Sequence, residues 1–239
     1  MDDYFILIHS PLVGPLTWSL VAEDMRRRGI DVLAPTLHDG DTGLPYWQQC
    51  ATAMSGALEG VPADRALILI GHSGAGPLLP AIGWSSGHRI GAYVFVDAGL
   101  PLDGRSRLDG MEASDPTTAT HLRQHLAAGG RFPEWSEDDL RDALPDVRLR
   151  RQMVAELRPR PLAFFEEPIP GFANGPDAPC GYLKFSPPYA PDAERAQRDG
   201  WAYREIEAAH FHVLVDPAGV ATALIDLAQT NRQGWRSAQ

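Results

Sequence analysis

The sequence predicts a doubly wound α/β domain with a mostly parallel sheet. Three continuous apolar runs, at 4–8, 66–70 and 92–96, have the composition of strands that are buried on both faces. Segments with helical character lie between these runs. Strands that alternate with helices along a chain are typical of this fold class.

The remaining elements follow from local signals. A helix over 18–28 ends at Gly29, and a helix over 45–58 begins with Pro45 in its first turn. A further helix over 77–84 follows the second apolar run. The other expected elements are short strands at 31–33, 181–185 and 202–206 and a final helix at 217–230.

Residues 100–179 interrupt the alternation. This segment is polar and rich in Arg, Asp and Pro, and it contains no strong strand. An insertion at the carboxyl edge of a parallel sheet overhangs the usual ligand crevice. We therefore predict a mainly helical lid over 100–179 on a core of residues 1–99 and 180–239, with a packing role as the alternative. Helical patches are expected near 118–128, 137–144 and 147–157.

Composition and charge restrict the partners. The 239 residues carry a formal net charge of −10, which disfavours nucleic acid and anionic membranes. The amino terminus opens on acids rather than on the basic stretch of a signal peptide, and no segment has the roughly 20 apolar residues of a membrane span. Two cysteines, Cys50 and Cys180, make no disulfide framework. We expect a cytoplasmic protein that acts on a small molecule.

A glycine-rich turn carries the strongest functional signal. Gly71-His-Ser73-Gly-Ala75 follows the apolar run at 66–70 directly and leads into a helix. This is the pattern of a nucleophile elbow, with Ala in place of the last Gly. Small residues are needed at Gly71 and Ala75 because side chains there would collide with the strained serine. The context predicts that Ser73 is a nucleophile, and a turn without catalysis is the alternative.

A serine nucleophile needs a base, and in this pattern the histidine follows the last strand. His210 stands first in the loop after 202–206, and His212 is its competitor. The other histidines have simpler structural explanations. His72 lies inside the elbow and is expected to pack locally, and His9 is expected to brace the loop after the first strand.

No metal or cofactor is predicted. His38, Asp39 and Asp41 lie in a Gly-containing loop without a recognised ligand spacing. His121 and His125 are four residues apart on an expected helix but lack a third ligand. We expect neither a bound metal nor an organic cofactor.

Several blocks of the chain resemble the α/β-hydrolase superfamily, and within it the short-chain branch that contains plant methylesterases and hydroxynitrile lyases. The matching blocks are the elbow and the segments 5–18, 94–101, 157–164 and 182–217. The elbow is specific for the superfamily and much less so for one reaction. The resemblance implies a Ser-His-acid triad and an oxyanion loop after the first strand.

The triad acid departs from the usual pattern of this branch. The branch usually carries it just after the next-to-last strand, where this chain has no carboxylate before Asp192. Some members place it at the end of the strand before the lid, and that position holds Asp97. A charge there needs a partner, and a catalytic histidine would serve. We predict Asp97 as the acid, with Asp192 or a merely structural Asp97 as alternatives.

The oxyanion loop departs as well. The family has a His-Gly pair followed by a residue that donates its backbone N–H, whereas here His9 is followed by Ser10 and then Pro11, which has no N–H. The Gly74 N–H is expected to supply one donor. The Ser10 hydroxyl or the Leu12 N–H is expected to replace the other. The hydroxynitrile lyases of the branch also carry a hydroxyl residue where Ser10 stands.

These observations predict a serine hydrolase that cleaves a carboxylic ester or thioester of a small apolar molecule through an acyl-enzyme. A non-hydrolytic lyase or cyclase that uses the same Ser-His pair is the alternative, and a ligand-binding protein is the third hypothesis. We expect Trp135, Phe164 and Phe165 to pack in the core of the lid, and a place in the wall of the pocket is the alternative. The oligomeric state stays open and includes a homodimer.

Overall fold

A six-stranded sheet forms the centre of the computed structural model, which describes residues 3–37, 40 and 42–238, with side chains up to residue 230. The strand order is β2-β1-β3-β4-β5-β6, and every neighbouring pair is parallel. This confirms the predicted fold class. The strands are β1 (Asp3–Ile8), β2 (Val32–Leu33), β3 (Ala66–His72), β4 (Ile90–Val96), β5 (Cys180–Lys184) and β6 (Ala202–Glu205).

Alternate strand residues supply two separate cores. In β1, Phe5 and Leu7 pack on one face of the sheet, whereas Ile6 and Ile8 pack on the other, and all four are fully buried. Side chains of a strand point alternately to opposite faces, so a run that is buried on both faces must be apolar throughout. Burying each such side chain stabilises the fold by about 1.5–3 kcal/mol.

Helices cover both faces of the sheet. Helices α1 (Leu16–Arg27) and α10 (Pro217–Ala238) pack on the core that contains Phe5 and Leu7. Three other helices cover the opposite face, namely α2 (Tyr46–Ala57), α3 (Leu79–Ser85) and α8 (Ala190–Arg198). The short helix α9 (His212–Val215) precedes α10. None of the helices in the described part of the chain has the length and hydropathy of a membrane span.

The 100–179 segment contains four helices within the described residues, and they differ in part from the expected ones. Two of the expected patches form helices, but residues 137–143 form successive turns rather than a helix. Ser136 and Asp139 bond each other's backbone amides there, as in a capping box that begins a helix, but Pro145 follows and disfavours helical backbone at residue 144. The helices are α4 (Arg107–Ser114), α5 (Pro116–Ala127), α6 (Val147–Ala155) and α7 (Leu162–Glu166).

Parallel strands place their carboxyl ends at one edge of the sheet. The residues that follow β1, β3, β4 and β5 there are His9, Ser73, Asp97 and Phe185, and the loop after β6 leads to His210. The sequence separates these residues by as many as 201 positions, since they run from His9 to His210. The topology alone therefore gathers most of the predicted site residues.

The contact between the elbow and the end of β4 depends on a glycine without room for a side chain. A Cβ on Gly76 would lie 2.2 Å from the Gly99 carbonyl oxygen and 3.0 Å from the Ala98 Cβ.

We expect Gly76→Ala to lower the free energy of unfolding by about 1–3 kcal/mol, because the backbone must shift to admit the methyl group. Urea unfolding measures this change. The matched control is Gly56→Ala in α2, where a Cβ would meet no atom within 4 Å. We expect it to be neutral or to stabilise by up to about 1 kcal/mol. Equal effects of the two substitutions would contradict the close approach.

Candidate active site

The elbow holds Ser73 in a left-handed backbone conformation. Ser73 has φ 56° and begins a 3-10 helix over 73–78 directly after β3. A Cβ at Gly71 would lie 3.0 Å from the Leu79 side chain and 3.3 Å from the Ala75 carbonyl carbon, so a larger residue would disturb the turn. The structure therefore shows that a small residue is required at Gly71, and the atoms that impose this belong to Leu79 and Ala75.

Asp97 follows β4 and lies against His210. Its Oδ2 is 2.8 Å from His210 Nδ1, and its side chain is fully buried. The loop after β5 supplies further donors. The backbone amides of Phe185 and Ser186 donate to Oδ1 at 2.9 Å each, and the Ser186 hydroxyl donates to Oδ2 at 2.6 Å. The arrangement has the geometry of an acid that orients a catalytic imidazole.

Burial of the Asp97 carboxyl would by itself raise its pKa. The hydrogen bond and charge of His210, together with the hydrogen bonds of Ser186, outweigh burial and hold the pKa of Asp97 below its usual value. Asp97 is therefore an anion at neutral pH. An anion at this position stabilises a positive charge on the His210 ring.

The two competing residues lie elsewhere. Asp192, in α8, accepts a hydrogen bond from the Leu100 amide at 3.0 Å, and burial raises the pKa of its carboxyl. His212 begins α9, and its ring packs against Phe185 with 5.5 Å between centroids. Among the predicted histidines and acids, the structure thus brings together His210 and Asp97.

The His210 ring contacts two other rings. The Tyr189 ring stacks on it at 5.1 Å with 12° between the planes, and the His72 ring lies 4.5 Å away. His72 Nε2 is 3.0 Å from the His210 carbonyl oxygen, so His72 braces the histidine loop from within the elbow. Burial, and then the charge of His210, lower the pKa of His72 to about 3. His72 is therefore neutral across the physiological range.

Tyr189 also contacts the serine. Its hydroxyl oxygen is 3.2 Å from Ser73 Oγ, and it ends a one-turn 3-10 helix over 187–189. The sequence pattern indicates no role for Tyr189, although this residue lies in the loop where the resemblance implies an acid. The only local signal was an aromatic residue after Pro187-Pro188, and that pattern does not specify a contact with the elbow.

The loop after β1 contains Ser10 and Leu12, which were expected to supply an oxyanion donor. The Leu12 amide donates to Ser10 Oγ at 3.3 Å, and a Cβ on Gly74 would lie 2.8 Å from the same oxygen. A side chain at position 74 would therefore displace the Ser10 hydroxyl from the elbow. The Pro11 carbonyl accepts two hydrogen bonds from the Arg160 guanidinium, at 2.9 and 3.2 Å, which orient the loop.

His9 braces the same loop, as expected. Its Nε2 accepts a hydrogen bond from the Leu37 amide at 3.0 Å, and its Nδ1 lies 2.8 Å from the Ser10 carbonyl oxygen. If Nε2 accepts, Nδ1 carries the proton and donates. These two hydrogen bonds hold the backbone at Ser10 in place.

A small cavity of about 10 Å³, continuous with solvent, joins these groups. Trp135 contributes to its wall, whereas Phe164 and Phe165 pack in a separate cluster with Leu108. One aromatic residue of the 100–179 segment thus lines the cavity, and the other two belong to the segment's own core. The lining residues are Ser10, Leu12, Val13, His72, Ser73, Trp135, His210 and Phe211.

The described residues contain no group of three or more His, Cys, Asp or Glu side chains that could hold a metal ion. His38, Asp39 and Asp41 lie outside the described residues. His125 is 3.1 Å from the Arg131 carbonyl oxygen and 3.5 Å from a Glu134 carboxylate oxygen.

Many solved structures share the fold of this chain. No protein-family model matches the chain, and no curated protein sequence is significantly similar to it. An extracellular α/β-hydrolase from Paenibacillus is 20% identical with a TM-score of 0.75, over 94% of this chain and 98% of that one. Polyneuridine aldehyde esterase is 17% identical with a TM-score of 0.70, over 95% and 100%. Tomato methylketone synthase I, solved with 2-tridecanone, is 17% identical with a TM-score of 0.72, over 97% and 99%.

These similarities establish the α/β-hydrolase fold for nearly the whole chain. The first of these solved structures is described as sharing structural and functional homology with tobacco salicylic acid binding protein 2. The neighbours include an esterase and a ketone-forming synthase, so one scaffold supports more than one reaction. The expected α/β-hydrolase fold is thereby confirmed.

The geometry separates the two candidate acids experimentally. We expect Asp97→Asn to lower kcat by about 10⁴, because an amide cannot hold the histidine tautomer or stabilise its positive charge. Asp192→Asn should change kcat by less than about threefold, because its carboxylate bonds the Leu100 amide rather than His210. Steady-state kinetics with a p-nitrophenyl ester measures both. A larger loss in the Asp192 variant would move the acid to α8, and small losses in both would indicate a Ser-His dyad.

The lowered pKa of His72 predicts a pH-dependent stability. The unfolded chain binds a proton on this residue near its ordinary pKa of 6.5, whereas the folded protein does so only near 3. Stability is therefore present above about pH 6.5 and is lost as the pH falls, with a slope that approaches about 1.4 kcal/mol per unit. His72→Gln keeps an amide near the His210 carbonyl and removes the titration. Urea unfolding between about pH 7 and pH 5 should show a shallower decline in this variant. Equal slopes would show that His72 is not held neutral.

Proposed function

We propose that the protein hydrolyses a carboxylic ester or thioester of a small molecule through an acyl-enzyme. The observation that carries the proposal is a single cavity lined by both Ser73, in a strained elbow, and His210, which is paired with a buried carboxylate. A strained serine costs free energy and is retained where its exposure serves a purpose. Binding alone needs neither the strain nor the paired histidine.

The proposed reaction uses the triad in two halves. Ser73 Oγ attacks the carbonyl carbon while His210 Nε2 takes its proton, and Asp97 stabilises the imidazolium that forms. His210 then protonates the leaving alcohol or thiol, and the acyl group stays on Ser73. In the second half, His210 removes a proton from water, the hydroxide attacks the acyl-enzyme, and the same proton returns to Ser73 as the acid is released.

The negative charge on the carbonyl oxygen needs donors. The Gly74 amide follows the nucleophile and is the position at which the fold places one oxyanion donor. The Ser10 hydroxyl lies beside it, as the 2.8 Å approach to a Gly74 Cβ shows, and we propose it as the second donor. The Leu12 amide is bonded to Ser10 Oγ and is the alternative.

The 100–179 segment is proposed to act as the lid of this site. Trp135 from the segment lines the cavity, and Arg160 from the same segment binds the Pro11 carbonyl on the expected oxyanion loop. The segment therefore touches both the wall and the catalytic loop. Apolar lining by Leu12, Val13 and Phe211 favours a largely apolar acyl group.

A non-hydrolytic reaction is the second candidate, and the oxyanion loop favours it. Pro11 offers no amide, and losing one oxyanion donor typically lowers the rate by about 10²–10³. A lyase needs Ser73 and His210 as acid and base but forms no covalent tetrahedral oxyanion. A ketone-forming synthase on the same fold is consistent with this candidate.

A fluorophosphonate reagent tests the proposal. We expect one covalent adduct by intact mass in the wild-type protein and none in Ser73→Ala, because the reagent needs an activated serine. Peptide mapping should place the adduct on Ser73. The adduct should form within minutes if the protein is a hydrolase.

Other results would contradict the proposal in distinct ways. An adduct that persists in Ser73→Ala would move the nucleophile elsewhere. A wild-type protein that resists labelling while it cleaves or rearranges a substrate would indicate the lyase. A protein that neither labels nor turns over substrate but binds ligands would be a binding protein.

A further inference from the structure

Tyr189 occupies a position that the proposed mechanism does not use. Its hydroxyl lies 3.2 Å from Ser73 Oγ, and its ring stacks on the His210 imidazole. It therefore touches both reacting groups of the proposed triad at once. In the loop after β5, where the resemblance implies an acid, the chain supplies Ser186 to Asp97 and Tyr189 to Ser73.

In the described residues, the side-chain hydrogen bonds of Ser73 and of the His210 ring each go to a third residue and do not join the two. Among the described residues, the partner of the Ser73 hydroxyl is Tyr189, and the side-chain partner of the His210 ring is Asp97 on Nδ1. Attack requires that Ser73 give its proton to the other ring nitrogen, Nε2. Ser73 must therefore exchange one hydrogen-bond partner for another before it reacts.

We propose that Tyr189 is a positioning residue that holds the Ser73 hydroxyl away from His210 until a hydrogen-bond acceptor on the substrate takes over the phenol. The inference rests on the proposed function, because it assigns a role relative to the Ser73 nucleophile. It makes Tyr189 a determinant of which substrates are accepted.

The exchange requires only a small movement. Serine has three staggered side-chain rotamers, so rotation about one bond moves Oγ from one partner to another while the backbone stays fixed. The Tyr189 ring need not move. The pairing also restrains the nucleophile chemically, because a phenol that donates to Oγ occupies an electron pair of the attacking oxygen.

The exchange leaves the phenol without a partner unless the substrate supplies one. Burial raises the pKa of Tyr189, so the phenol keeps its proton and remains a donor throughout the physiological range. The Tyr189 residue is partly buried, and a donor in such a place loses free energy when it loses its partner. A substrate with an oxygen acceptor beside its scissile carbonyl, such as an alkoxy or keto group, restores the bond and makes the exchange favourable.

The first test measures how fast the nucleophile reacts when the phenol is absent. Tyr189→Phe keeps the ring on His210 and removes the hydroxyl. Its Ser73 should react with a simple alkyl fluorophosphonate about three- to tenfold faster than that of the wild type, which corresponds to one typical hydrogen bond. Tyr203→Phe is the matched control, because it removes a phenol hydroxyl whose partner is Glu205 on β6. We expect it to label at the wild-type rate.

The second test measures specificity with a pair of nearly isosteric substrates. p-Nitrophenyl methoxyacetate differs from p-nitrophenyl butyrate by an ether oxygen in place of the methylene group two bonds from the carbonyl carbon. The ratio of the two kcat/KM values, divided by the ratio of their hydroxide hydrolysis rates, isolates the enzyme's own preference. We expect the wild type and Tyr203→Phe to prefer the methoxyacetate by about tenfold, and Tyr189→Phe to lose this preference.

Each remaining outcome overturns the proposal. Slower labelling and a general loss of turnover in Tyr189→Phe would make the phenol a catalytic donor rather than a restraint. Unchanged labelling, or an unchanged preference, would remove its positioning role. A preference that disappears in Ser10→Ala but persists in Tyr189→Phe would assign the recognition to Ser10. A wild type without the preference overturns the proposal even if the Tyr189 variant does not fold.

The labelling assay also separates this proposal from the one on which it depends. If wild-type Ser73 forms no adduct, the serine-hydrolase proposal fails, whatever Tyr189 does. If the wild type labels on Ser73 and both tyrosine variants label at the same rate, the hydrolase proposal stands and the role of Tyr189 is rejected.

Discussion

The carboxylate of Asp97, at the end of β4, accepts hydrogen bonds from the loop after β5 and from His210 in the loop after β6, so one buried charge joins three strand ends. A buried carboxylate is tolerated only when donors fill its electron pairs. Two amides, a hydroxyl and an imidazole do so here. The carboxylate holds the His210 ring, and the rings of Tyr189 and His72 lie against it. Because the pKa of Asp97 is held below its usual value, the arrangement persists until the pH falls far enough to protonate that carboxyl.

Backbone strain is concentrated at the same place. Within the described residues, Ser73 and Asp97 are the only non-glycine residues with a positive φ, at 56° and 42°. Each follows directly after a strand, and these two strands are neighbours in the sheet. Packing around the turns holds them, as the close approach of Gly76 to the Gly99 carbonyl shows. Strain at two adjacent strand ends is expected where side chains must project from a sheet edge rather than lie along it.

The sequence allowed the sheet, the elbow and the pairing of Asp97 with His210 to be predicted, because each depends on local patterns and on the common direction of parallel strands. The 100–179 segment was predicted less well. Its first helix begins with a capping box at Ser106 and Asp109 that the apolar pattern did not reveal. The stretch 137–143 has helical composition and begins with the same reciprocal bonds, here between Ser136 and Asp139, yet it forms turns and Pro145 follows it. The contact of Tyr189 with Ser73 joins residues 116 positions apart, and no local pattern specifies it.

The positions of Asp97 and Tyr189 are connected through the loop after β5. That loop binds the Asp97 carboxylate through the Phe185 amide, the Ser186 amide and the Ser186 hydroxyl. Those bonds fix the start of the turn that ends at Tyr189, since the Tyr189 amide donates to the Ser186 carbonyl at 3.3 Å. The group that orients the histidine therefore also orients, through three residues of chain, the phenol that we propose restrains the nucleophile. A change at Ser186 should for this reason alter the positions of His210 and Tyr189 together.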